Sequence, residues 1–128
     1  MALQVGAPLQ PNVLLCPMLD ARRMEVYCTL LNTSMEVVEP TAPKVFDELS
    51  VSEFLKDHQV LFFGNGMDKC KTTLNHPNAH FIEGVGPSAA QIGTIASRKF
   101  VDQEFENLAL YEPTYLKEFR AIQPKSLL

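Results

Sequence analysis

Between Val13 and Ala21 nearly every position is apolar, a run that fits a strand buried on both faces, where the alternation of a half-buried strand is lost. Pro17 interrupts it. A proline brings no N–H to a ladder, so a bulge is expected there, or an N–H position that faces no partner strand. Glu25 to Leu31 alternates, with Val26, Cys28 and Leu30 on one side and Tyr27, Thr29 and Leu31 on the other. Asn32-Thr33-Ser34 supplies a polar turn, and Met35 to Glu39 is a third extended run that Pro40 is expected to end. Three such runs with brief polar connections predict an antiparallel meander.

After Pro43 the period changes. Ser50 followed by Glu53 has the spacing of a capping box, which satisfies two orphan N–H groups of a first helical turn, and a short helix is expected to end near Asp57. Gln59 to Phe63 is a compact apolar strand closed by Gly64-Asn65-Gly66. Met67, Cys70 and Leu74 have helical spacing, and Ala79 to Val85 reads as the next strand. Ser88 and Gln91 form a second capping box. Behind it Ala89, Ile92, Gly93, Ala96 and Phe100 share one helical face, predicted to run to about Glu106. Gly93 costs about 1 kcal/mol relative to alanine in a helix, so it is expected to mark a close approach to the sheet.

The resulting order, βββαβαβα, is that of the ribonuclease-H-like sheet: an antiparallel meander extended by two parallel strands, with right-handed crossovers placing the helices. The predicted class is α/β, with a mixed five-stranded sheet in the order 3-2-1-4-5 and flanking helices. This lobe is one half of the actin-like ATPase architecture, on which many activities are built.

Composition narrows the classes. The chain has 128 residues, about one domain. The expected division is 1–12 as the remnant of a preceding helix or linker stopped by Gly6 and Pro8, 13–122 as the domain, and 123–128 as a tail. Apolar residues are 46% and charged residues 20%, enough for a packed core. The net charge is −4, with no run of like charges longer than two, which argues against a basic nucleic-acid surface. Cys16, Cys28 and Cys70 are widely spaced with no CxxC pair, which fits neither a disulfide framework nor a zinc site and favours a reducing compartment. Apolar runs such as Val13 to Cys16 stop at four residues, far short of a spanning helix. A cytoplasmic protein is expected.

Asp20-Ala21-Arg22-Arg23-Met24-Glu25-Val26-Tyr27 resembles the signature D-A-R-x-x-E-V-Y that opens the C-terminal half of the TsaB (YeaZ) family. Gly64-Asn65-Gly66, Pro87-Ser88-Ala89 and the closing Pro113-Thr114-Tyr115-Leu116-Lys117 agree with it in order and spacing, so the match spans Val13 to Arg120. The resemblance implies a ribonuclease-H-like, glycoprotease-like domain and a noncatalytic role in bacterial tRNA threonylcarbamoyladenosine modification. Its implied partners are the catalytic TsaD-type subunit and the TsaE-type ATPase, with tRNA reached only through the complex. A full family chain carries another lobe, which holds most of the pairing surface, so the sequence reads as a C-terminal domain or fragment whose exposed sheet could also pair with itself as a homodimer. The alternatives are a metal-dependent hydrolase, after the family's historical glycoprotease label, and a nucleotide-binding module.

No residue is assigned as catalytic, no metal ligand is assigned and no cofactor is expected. Gly64, Asn65 and Gly66 are the candidate cofactor-binding residues, since backbone N–H groups at a helix start can approach a phosphate; a tight turn using two glycines for positive φ is the simpler reading. His76 and His80 are four apart, yet a shared metal needs a helical face, which Pro77 and Asn78 oppose; His58 is likewise given no ligand role. Asp20 lacks carboxylate companions for two-metal chemistry and is expected to accept from turn N–H groups or pair with an arginine. The cysteines are expected to be buried small hydrophobes. Phe105, Tyr111, Tyr115 and Phe119 are expected to anchor the C-terminal segment to the body.

Overall fold

The computed structural model describes residues 1–5, 10–45 and 48–117. Its strands are β1 (Val13–Asp20), β2 (Glu25–Leu31), β3 (Val37–Val45), β4 (Gln59–Phe63) and β5 (Ala79–Ile82); its helices are α1 (Glu48–Asp57), α2 (Met67–Lys71) and α3 (Ala89–Val101). A single 3-10 turn, Ala2–Gln4, stands before them. The sheet order is β3-β2-β1-β4-β5, with β1/β2 and β2/β3 antiparallel and β1/β4 and β4/β5 parallel. The predicted element order and strand order both hold.

The apolar run of β1 is explained by its place at the centre of the sheet, with a neighbour on each side and cover on both faces. Leu14, Cys16 and Met18 join Val26, Cys28, Leu30, Val60 and Phe62 in one core, closed by Val51 and Leu55 of α1 and by Met67, Cys70 and Leu74. Phe62 stacks on Phe81 with ring centroids 5.4 Å apart. On the opposite face Leu15 and Phe63 are also fully buried.

Several local expectations are corrected. Pro17 makes no bulge: Leu15↔Leu31 and Met18↔Cys28 keep one register across it, and the β4 pairing runs on through Pro17↔Phe63. The irregularity lies in β3, whose register against β2 shifts between Cys28 and Leu31, and β3 continues through both Pro40 and Pro43. An edge strand tolerates prolines because an outward position needs no N–H, and prolines with a bulge also blunt the edge against foreign strands. Helix α1 starts at Glu48, so Ser50 lies inside it and not at its cap. Strand β5 stops at Ile82, short of Val85.

Helix α3 departs most. It ends at Val101 rather than near Glu106, where Gln103 takes a left-handed φ of 57°. The Ser88 side chain makes no capping bond. A Cβ placed on Gly93 would meet nothing within 4 Å, so this glycine marks no close approach. None of the helix's residues is buried: its stripe is open, with Ile92, Ile95, Phe100 and Val101 all exposed. Phe105 packs edge-on against Phe100 at 5.6 Å, but Phe105, Tyr111 and Tyr115 are themselves exposed and do not anchor the segment as expected. Phe119, Gly6, Pro8 and the expected tail after Gln123 lie outside the described residues.

Candidate functional site

Chemistry-bearing residues gather where the C-terminal ends of β1 and β4 meet the loops that follow. Asp20 closes β1, and its Oδ1 accepts the backbone N–H of Arg22 at 2.7 Å and an ion-paired proton from Lys69 Nζ. Lys69 and then the Arg22 amide hold this exposed carboxyl below its usual range. The Asp20 N–H in turn donates to Asn65 Oδ1 at 3.1 Å, tying the β4 loop to the β1 end. Asp20 therefore accepts from a turn N–H as expected, but the cation it meets is a lysine delivered by α2 and not an arginine.

The Gly-Asn-Gly turn is shaped by β1. Gly64 sits at φ 105°, and a Cβ there would fall 2.2 Å from the Met18 carbonyl oxygen. Gly66 has an ordinary φ of −85°, yet a Cβ there would lie 3.0 Å from the Leu19 carbonyl carbon and from Val26 Cγ1. Positive φ, expected at both glycines, holds only at Gly64, and crowding against β1 requires both. The Gly66 N–H donates to the Met18 carbonyl at 3.3 Å and the Met67 N–H to the Gly64 carbonyl at 3.1 Å, so these two amides are engaged within the fold. A cleft of about 300 Å³ opens beside the turn, bordered by Asp68 and Glu83. Glu83 pairs with Lys71 at 2.6 Å, which lowers the carboxyl's pKa and raises the ammonium's.

The structure does not bring the histidines into a helical pair. His76 lies in the loop before β5, where its Nδ1 accepts the Asn78 N–H at 3.2 Å, and His80 is exposed on edge strand β5. Among the described residues no group of three or more His, Cys, Asp or Glu side chains is placed to hold a metal ion. His58 Nδ1 is buried without a hydrogen-bond partner at the junction of α1 and β4, a feature that no pattern in the sequence signals. All three cysteines are free and buried in the same core. The Cys28 hydrogen bond and burial push the Cys16 thiol well up, and burial pushes Cys70 up to about 12, so both are protonated and unreactive at neutral pH.

Two open regions were not foreseen. A polar cavity of about 510 Å³ lies between the β1–β2 hairpin turn and the segment at Leu116–Lys117, with Arg22, Arg23 and Glu25 on its wall. An apolar groove of about 420 Å³ runs over the second face of the sheet, between the N-terminal turn (Met1, Leu3), Pro17, Leu31 and Ile95 of α3. The sequence places Arg22 and Ile95 in their elements, but only folding sets them across a gap from distant segments. No helix among the described residues is long and apolar enough to cross a membrane. No protein-family model matches the chain, and no curated protein matches it either.

Proposed function

We propose that the chain is the ribonuclease-H-like lobe of a TsaB-type subunit, a noncatalytic assembly partner of a TsaD-type transferase in tRNA threonylcarbamoyladenosine modification. The observation that carries this reading is the open apolar groove where β1 meets the N-terminal turn, together with the unpartnered stripe of α3 beside it. Apolar surface of this extent on a soluble domain marks a contact with another body. Burying a side chain such as Ile92 or Phe100 is worth about 1.5–3 kcal/mol, and α3 leaves that gain unused. In the actin-like architecture a second lobe sits against this one, which gives the groove an occupant. The 3-2-1-4-5 order and the position of the Asp20–Tyr27 signature across the β1–β2 hairpin agree with that lobe.

The test is to purify the protein carrying this sequence from its own cells by tag, together with its TsaD-type subunit, and to measure threonylcarbamoyladenosine in tRNA after deletion. Co-elution and loss of the modified nucleoside are expected. A protein that elutes alone and a deletion that leaves the nucleoside at its normal level would sink the reading.

A further inference from the structure

We propose that the β1–β2 hairpin turn and the Leu116–Lys117 segment form a binding site for a small phosphate-bearing molecule. The cavity between them, about 510 Å³, lies within the roughly 300–1,000 Å³ typical of small-molecule sites. Among the described residues that line it, Arg22, Arg23 and Lys117 stand with one carboxylate, that of Glu25, an excess of positive charge on a chain whose net charge is −4. Lys117 is matched to Glu25 by an ion pair. The guanidinium groups of Arg22 and Arg23 are not: among the described residues neither makes an ion pair.

Locally Arg22 adds only its charge beside the Asp20 carboxyl, the smallest of the influences that lower its pKa. Arg22 at φ 66° and Arg23 at φ 51° both occupy the left-handed region, where glycine or asparagine fits at lower cost. Nevertheless the backbone is braced. Asp20, pinned by Lys69, accepts the Arg22 N–H, and the Ala21 N–H donates to the Glu25 carbonyl at 3.2 Å. Two arginines thus line the cavity from a held backbone turn, and the guanidinium group is suited to bidentate bonds with phosphate oxygens. Pro43 and Val45 supply an apolar wall on the same cavity, so the favoured ligand is a phosphate monoester with a ring or alkyl group. The cleft beside Gly64 and Asn65 is the weaker anion site, because Asp68 and Glu83 border it.

Calorimetric titration of the intact chain at low salt with inorganic phosphate, phenyl phosphate and sulfate tests the site. Saturable binding of phosphate is expected, with phenyl phosphate bound more tightly through the apolar wall. The double variant Arg22→Gln/Arg23→Gln should weaken both by about tenfold or more, while Arg98→Gln, an exposed arginine elsewhere, should leave them unchanged. Lowering the pH from about 7.5 to about 5.5, across the second phosphate ionisation near 6, should weaken phosphate and spare sulfate. No saturable binding at millimolar ligand, or binding that survives the double variant, overturns the proposal. If the double variant does not fold, amide chemical shifts of the unaltered chain decide: phosphate must move residues 21–25 and 117, and shifts confined elsewhere overturn it.

Discussion

Gly64, Gly66 and Gly93 have different structural meanings, and substitution separates them. Gly64→Ala places a methyl group on the Met18 carbonyl in a backbone region that alanine avoids, and should cost about 2–4 kcal/mol. Gly66→Ala meets the Leu19 backbone and Val26 at the edge of contact and should cost about 1–3 kcal/mol. Gly93→Ala meets open space on a helix and should stabilise by about 1 kcal/mol. Urea midpoints of the three variants check the ranking; a destabilising Gly93→Ala would mean that α3 is packed at this position. The Gly-Asn-Gly string was legible as a turn, since two glycines after an apolar strand are a strong stop. That its tightest neighbour would be the Met18 carbonyl was not, because Met18 and Gly64 are distant in sequence and meet only across the β1/β4 pairing.

At the scale of elements, the hairpin and α3 each carry a cost that their neighbourhood does not return. Arg23→Gly relieves a left-handed side chain, worth about 1–2 kcal/mol, and restores part of it as unfolded-chain entropy. The variant should therefore be as stable as the parent or up to about 1 kcal/mol more stable, as read by thermal melting, while it loses one of the two guanidinium groups that line the cavity. Helix α3 has thirteen residues, none buried, and no side-chain cap at Ser88, and isolated helices of this length are marginal in water. Its amides should exchange far faster than those of β1 and β4 in hydrogen-exchange measurements, and should slow when a partner covers Ile92 and Phe100. Equal protection of α3 and β1 in the isolated chain would contradict that. The stripe of α3 was readable from spacing, but spacing says only that one face is apolar and not what covers it. Prolines misled in the opposite direction. Pro40 read as a strand end because a central strand cannot accept it, and β3 accepts it by lying at the edge with a shifted register.

At the scale of the whole molecule, the exposed ion pairs at the sheet's C-terminal end contribute to the pH dependence of stability. Asp20 and Glu83 have lowered pKa values in the fold. Their contribution is complete above the unfolded carboxylate range, about pH 4, and is lost as the pH falls through the folded values. Lys71 is raised, so its contribution is complete below about pH 10.4 and is lost as the pH rises through its folded value. The contribution of these pairs should form a plateau between these limits. Asp20→Asn should flatten its acid edge, an effect that about 1 M salt reduces by screening, and unchanged acid unfolding in this variant would refute it. The order of elements, the antiparallel meander and the buried centre were determined by the sequence alone, because period-two and helical spacings are local and an apolar run long enough for one strand must be covered on both faces. The tertiary structure alone decided that β3 is an edge that carries prolines, that Lys69 and not an arginine meets Asp20, that the α3 stripe stays open, and that Arg22, Arg23 and Lys117 surround one cavity. Each of these depends on which distant segments meet across the sheet, and periodicity along the chain holds no information about that distance.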